Sequence, residues 1–167
     1  MTSESSRRDT HSLQGLDVRR CADADLPRVV ELLTLGALPG SSGERENPAD
    51  LSHYERALRE TGGAGGSVLV AEVDGDVIGV CQLIVFRQLQ ARGGLCAEIE
   101  SVHVHPDHRG SGVGTTLLRA AIHRAESLGC YRVQLTSNVG RPDAHRFYER
   151  LGFVPSHVGF KLLLSDG

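Results

Sequence analysis

Residues 98–115 hold most of the groups in this chain that are able to do chemistry. Glu98 and Glu100 lie two apart in a β-rich run. An unbroken strand turns both to one face, where either carboxylate can accept a proton, whereas a bulge would separate them. The run leads into Val104-His105-Pro106-Asp107-His108-Arg109-Gly110-Ser111-Gly112-Val113-Gly114. Pro106 prevents a strand ladder from continuing, and the glycines let the backbone bend and leave room for a ligand beside it. A helix opening there presents unsatisfied N–H groups and a partial positive charge, which suits a phosphate or pyrophosphate. The same turn also fits an ordinary strand-to-helix connection, so the turn alone does not decide. A P-loop requires Gly-Lys-Ser/Thr at the helix start, where Gly112-Val113-Gly114 stands. A dinucleotide fold places its glycine turn after the first strand of a parallel sheet, not late and after a hairpin.

The elements that must position these residues follow from periodicity and turn signals. Residues 16–20 read as a strand. Leu26, Val29, Val30 and Leu33 recur at helical spacing, with Asp23 or Asp25 as a cap. Residues 36–46 read as a loop. Asn47-Pro48 predicts the start of a second helix with Leu51, Tyr54 and Leu58 as its stripe, stopped by the glycines of 62–66. Residues 67–73 and 77–86 are strands joined by Asp74-Gly75-Asp76, a hairpin signal. A strand over 96–105, a helix over 111–128, a strand over 131–136, a short helix over 142–151 and a last strand over 158–164 complete the chain. The order β-α-α-β-β-β-α-β-α-β predicts an α/β fold, with a mixed, mostly antiparallel sheet flanked by helices.

The 167 residues suit a single domain, expected over 15–167 behind a flexible tail over 1–14. A net charge of −3 lacks the basic stripe that nucleic-acid binding needs. No apolar run is long enough for a signal peptide or a membrane span, so neither membrane nor export is expected, and a reducing cytoplasm is the simplest location. Cys21, Cys81, Cys96 and Cys130 are scattered, without the paired spacing of a zinc knuckle or redox dithiol.

Two resemblances remain to be weighed. His103-Val104-His105-Pro106-Asp107-His108 spells H-x-H-x-D-H, which resembles the zinc signature of metallo-β-lactamases. That fold carries the motif near its start and needs further ligands downstream, where only His123, His145 and His157 follow. No metal is therefore expected, and the zinc hydrolase is the lesser alternative. Arg109-Gly110-Ser111-Gly112-Val113-Gly114, by contrast, is similar to R/Q-x-x-G-x-G/A, the coenzyme A loop of the GCN5-related N-acetyltransferase (GNAT) family. Ala144-His145-Arg146-Phe147-Tyr148-Glu149-Arg150-Leu151-Gly152-Phe153 resembles the same family's A-x-x-F-Y-E-x-L-G-F block. The element order agrees from about residue 16 to 164.

This resemblance implies an N-acetyltransferase that moves an acetyl group from acetyl-CoA to an amine. It implies that main-chain groups of Gly110, Ser111, Gly112, Val113, Gly114 and Thr115 hold the pyrophosphate, with Arg109 nearby. The pantetheine arm would lie along Val102, His103 and Val104, in a gap where the fourth and fifth strands splay apart. Tyr148 matches the tyrosine that often serves as the acid for the departing thiolate. Glu98 has the spacing of the carboxylate base in histone-acetylating members, and Glu100 falls where other members line the acceptor site. Which of the two is the base stays open at this point. Asn138 stands ten residues before Tyr148, whereas the family's pantetheine-contacting Asn stands seven before it. Asn138 is therefore a coenzyme contact, or it joins Ser137 and Arg141 in touching the acceptor. In the family the loop over 36–46 shapes the acceptor site, and a homodimer is a common assembly. A non-catalytic acetyl-CoA-binding module is the other alternative. The three proton-handling residues Glu98, Glu100 and Tyr148 argue against it.

Overall fold

The computed structural model describes residues 13–37, 46–162 and 164. The expected tail thus lies outside the described residues as far as residue 12, and so does the loop over 38–45. The hairpin forms where Asp-Gly predicts it. Ser67–Val73 (β2) and Asp76–Arg87 (β3) are joined through Asp74 and Gly75, at φ of 51° and 84°. Two left-handed residues give a turn whose twist matches paired strands. Asp17–Arg20 (β1) pairs antiparallel with β2, and β3 pairs antiparallel with Leu95–Val104 (β4). Arg132–Leu135 (β5) runs parallel to β4, so the sheet order is β1-β2-β3-β4-β5. This is the mixed, mostly antiparallel sheet expected.

Helices cover both faces. Leu26–Gly36 (α1) buries Leu26, Val29, Val30 and Leu32 on one face, and Val29 and Leu32 pack with Val70, Val77 and Val80. Val113–Ser127 (α4) covers the other face with Val113, Leu117, Leu118, Ala121 and Ala125 against Leu83, Ala97 and Ile99. Gly79 lets α4 sit close, because a side-chain carbon there would stand 3.2 Å from Val113 Cγ1. Leu51–Thr61 (α2) and Pro142–Arg150 (α5) complete the layers, and Gln90–Gly93 (α3) is a single turn between β3 and β4.

Three expectations need correction. The second helix begins at Leu51, not at Asn47-Pro48. Asn47 Oδ1 instead accepts the Ala49 N–H at 3.1 Å and closes a turn ahead of the helix. Asp25 takes the N-cap position of α1 without capping it. Its carboxylate receives Arg19 at 2.6 and 2.9 Å and the Ala22 N–H at 2.7 Å, a stronger charge-assisted set. The last strand over 158–164 is not formed, as no strand follows α5 among the described residues. Period-2 spacing alone does not make a strand; hydrogen-bonded pairing with a neighbouring strand is also required.

Candidate active site

The pairing of β4 with β5 stops before β4 does. Parallel partners run from Cys96↔Arg132 to Ile99↔Leu135, whereas β4 continues to Val104. One side of residues 100–104 is thereby left without a strand. Opposite, β3 pairs Gln82 with Glu100 and Val80 with His103, so β4 carries one extra residue at this point. Ser101 absorbs it at φ 52°, a left-handed conformation that costs a non-glycine residue about 1–2 kcal/mol. The bulge lies after Glu100, so Glu98 and Glu100 keep a common face. It also changes the side to which the following residues turn. Ser101 lines a cavity with Leu33, Tyr54, Leu58, Thr61 and Gln82 between α1, α2 and the sheet. Val102 and Val104 pack toward α4.

The two carboxylates are held differently. Gln134 Nε2 donates to Glu98 Oε2 at 3.2 Å. Thr136 Oγ1 donates to Glu100 Oε1 at 3.5 Å, a long contact at the place where the strands part. Glu100 is half-buried, and burial first, then the negative Glu98, push its carboxyl above the usual range. Tyr148, on α5, sits among rings, with centroids 5.3 Å from Phe147 and 6.1 Å from Phe153. Burial raises its phenol, and the nearby Arg141 and Glu100 charges act on it in opposite directions. Glu98, Glu100 and Tyr148 are thus gathered around the parting of β4 and β5.

The glycine-rich turn is built as the sequence requires. Gly110 and Gly112 adopt φ of 80° and 91°, and Gly112 stands at the N-cap of α4 with no side chain capping the helix. The first intrahelical bond is Thr116 N–H to Gly112 at 3.0 Å, so the amides of Val113, Gly114 and Thr115 point out of the helix mouth. Ser111 Oγ donates to the His108 carbonyl at 2.6 Å and braces the turn. Arg109 Nε donates to the Val104 carbonyl at 3.1 Å, which places a guanidinium beside the mouth. Gly114 lets α5 approach, since a side-chain carbon there would stand 3.3 Å from Phe147. An uncapped helix mouth flanked by a cation, opening beside an unpaired strand edge, fits a pyrophosphate with an extended arm.

Other candidates are placed less simply. Asn138 Oδ1 accepts the Gly140 N–H at 2.8 Å, so its side chain closes its own loop. The His103 ring lies against Gly36 at the end of α1, where Arg141 Nη2 donates to the Gly36 carbonyl at 2.6 Å. Burial, then Arg141 and Arg109, push the His103 imidazole down to about 4, so it is neutral at pH 7. His105 instead turns to its own loop, with Nδ1 accepting the Asp107 N–H at 3.4 Å. Among the described residues no three His, Cys, Asp or Glu side chains are gathered to hold a metal. Ser101, Gln82, Gln134 and Thr136 were not singled out from sequence. Polar residues facing Glu98 and Glu100 on otherwise apolar strands were the readable signal for the last three.

Comparisons with known proteins bear on the family and the fold. A profile described as the Acetyltransferase (GNAT) family matches residues 31–153. The chain is 31% identical to a glucosamine 6-phosphate N-acetyltransferase of Trypanosoma brucei brucei, over 83% of this chain and 88% of that protein. It is 32% identical to a phosphinothricin N-acetyltransferase of Alcaligenes faecalis, over 96% and 86%. Among solved structures, one described as a transcriptional regulator from Bacillus halodurans C-125 superposes with a TM-score of 0.80 at 32% identity, over 89% of this chain and 99% of that one.

Proposed function

We propose, from the premise that this chain belongs to the GNAT acetyltransferase family, that Glu100 is the base and Tyr148 the acid in acetyl transfer from acetyl-CoA to an acceptor amine. The family activity, N-acetyl transfer, is that of its curated relatives. Residues 15–167 are read as one acetyltransferase domain. The reading rests above all on one observation: β4 runs on, paired only with β3, where β5 leaves it, with Glu100 at the point of parting.

In this scheme the amides of 110–115 and Arg109 hold the pyrophosphate. The open edge at Val102, His103 and Val104 takes the pantetheine arm, and a main-chain N–H there polarises the thioester carbonyl. Alkyl amines are mostly protonated at pH 7 and must lose a proton before attacking. Glu100 accepts it, directly or through water. Its burial favours proton acceptance by raising its basicity, and Glu98 adds to this. Tyr148 keeps its proton at neutral pH and gives it to the departing thiolate. The relatives' names support small-molecule amines as the first acceptors to try, with glucosamine 6-phosphate and phosphinothricin as opening members of a panel.

The test is thiol release from acetyl-CoA across that panel. On any acceptor that reacts, Glu100→Gln is expected to lower kcat/KM about 10²- to 10⁴-fold, with acetyl-CoA binding retained. Tyr148→Phe should lower kcat while leaving KM for acetyl-CoA nearly unchanged. Full turnover by Glu100→Gln would remove the base assignment.

A further inference from the structure

Directly across the sheet from Glu100 stands Gln82, its register partner on β3. Side chains opposite each other on antiparallel strands share a face, with Cβ atoms about 5 Å apart. Gln82 Nε2 donates to Thr61 Oγ1 at 3.0 Å, and Thr61 Oγ1 donates to the Ala57 carbonyl at 2.7 Å. The single hydroxyl proton of Thr61 is spent within α2, so the threonine must accept from Gln82, and this fixes which way the amide points. Among the described residues, no group donates to Gln82 Oε1.

Beside this pair lies the cavity between α1, α2 and the sheet, about 80 Å³ in volume. Gln82 lines it, and so does Ser101, the residue after Glu100. Val29, Leu33, Leu58 and Val80 give it apolar walls, and among the described residues none that lines it carries a charge. The Tyr54 hydroxyl is already committed, donating to Glu46 Oε2 at 2.7 Å and accepting the Asn47 N–H at 2.9 Å. A dry apolar cavity of about 150 Å³ takes a benzene, so this one takes an alkyl group of about three or four carbons. A charged group entering it would give up its water without meeting a counter-ion.

We propose that the acceptor is a primary amine with a short, uncharged alkyl group, its nitrogen held between Glu100 and Gln82 Oε1 and its carbons filling this cavity. The inference rests on the reading of acetyl transfer with Glu100 as base. Gln82 Oε1 accepts one N–H of the amine while Glu100 takes a proton from the same nitrogen. The nitrogen then bonds to the acetyl carbon, the C–S bond breaks, and the departing thiolate takes the Tyr148 proton. Gln82 orients the lone pair, and the cavity selects by size and charge. Each methylene that fits such a pocket raises kcat/KM about tenfold or more.

Thiol release from acetyl-CoA, with ethylamine, isobutylamine, benzylamine and 3-aminopropanoate as acceptors, tests this alongside calorimetric binding of acetyl-CoA. Isobutylamine is expected to exceed ethylamine and 3-aminopropanoate in kcat/KM about tenfold or more, and benzylamine to fall below it. Ala57→Leu fills the cavity from an exposed position on α2 and should lower the isobutylamine-to-ethylamine ratio about tenfold. A ratio does not depend on how much of the enzyme is folded. Gln82→Met keeps the side chain's length without its amide oxygen and should raise KM for isobutylamine about tenfold, with acetyl-CoA affinity retained. Faster turnover of 3-aminopropanoate or glucosamine 6-phosphate than of isobutylamine overturns the proposal and leaves acetyl transfer standing. Acetyl-CoA binding with no uncharged amine turned over, an unchanged ratio in Ala57→Leu, or an unchanged KM in Gln82→Met overturns it equally. Failure to bind acetyl-CoA overturns acetyl transfer itself, and this inference with it.

Discussion

Glu98 and Glu100 share a strand face and yet are not equivalent. Glu98 has the firmer neutral partner in Gln134, whereas Glu100 is half-buried beside a long Thr136 contact. Their mutual repulsion raises Glu100, so the acidic limb of the pH profile depends on Glu98 although Glu98 transfers no proton in the scheme above. Glu98→Gln removes that negative charge, and Glu100 then ionises at lower pH. The acidic limb of kcat/KM is expected to move to lower pH, with the plateau rate largely kept. A limb that stays in place would mean that the group titrating there is not Glu100. The carboxylate pair was legible from spacing alone. Its asymmetry was not, because it arises from β5 and from burial, which a strand pattern does not contain.

At the scale of the element, the strand–turn–helix unit from β4 into α4 matters most. Its turn is legible because glycine is the residue that takes a positive φ without steric cost. Gly112 stands at 91° with nothing within 4 Å of a would-be side chain, so the demand on it is conformational and not steric. Gly112→Ala is expected to cost about 1–2 kcal/mol in stability and to raise KM for acetyl-CoA tenfold or more, because the turn must relax away from the helix mouth. Denaturant titration and saturation kinetics would check the two effects separately. The bulge at Ser101 carries no such signal, since serine gives no hint of a positive φ. The last strand was legible only as a pattern, because its pairing depends on what lies beside it.

At the scale of the whole molecule, His103 joins three distant segments. Its ring packs on Gly36 of α1 and feels Arg141 ahead of α5 as well as Arg109 of the turn. Held near 4, it stays neutral in the folded chain where the unfolded chain, at its ordinary 6.5, takes up a proton. The resulting stability is complete above about pH 6.5 and is lost as pH falls toward 4, on the order of 2–3 kcal/mol. Glu100 acts in the opposite sense, because its folded value is raised, so the comparison must be made within a variant pair. His103→Asn is expected to flatten the difference between urea unfolding at pH 7 and at pH 4.5 relative to the unmodified chain. An equal loss in both proteins would show that His103 is not the linked group.

The sequence by itself determined the local terms of this protein: the α/β order, the Asp74-Gly75 hairpin, the glycine turn, and the two carboxylates with a tyrosine downstream. Each follows from backbone geometry or from residue types a few positions apart. The tertiary structure alone decided where β5 leaves β4, that Glu100 is half-buried at the point of parting, that Asn138 turns into its own loop, and that residues 158–162 lie uncovered. These outcomes depend on which segments meet in space, and contacts between residues far apart in the chain leave no periodicity behind.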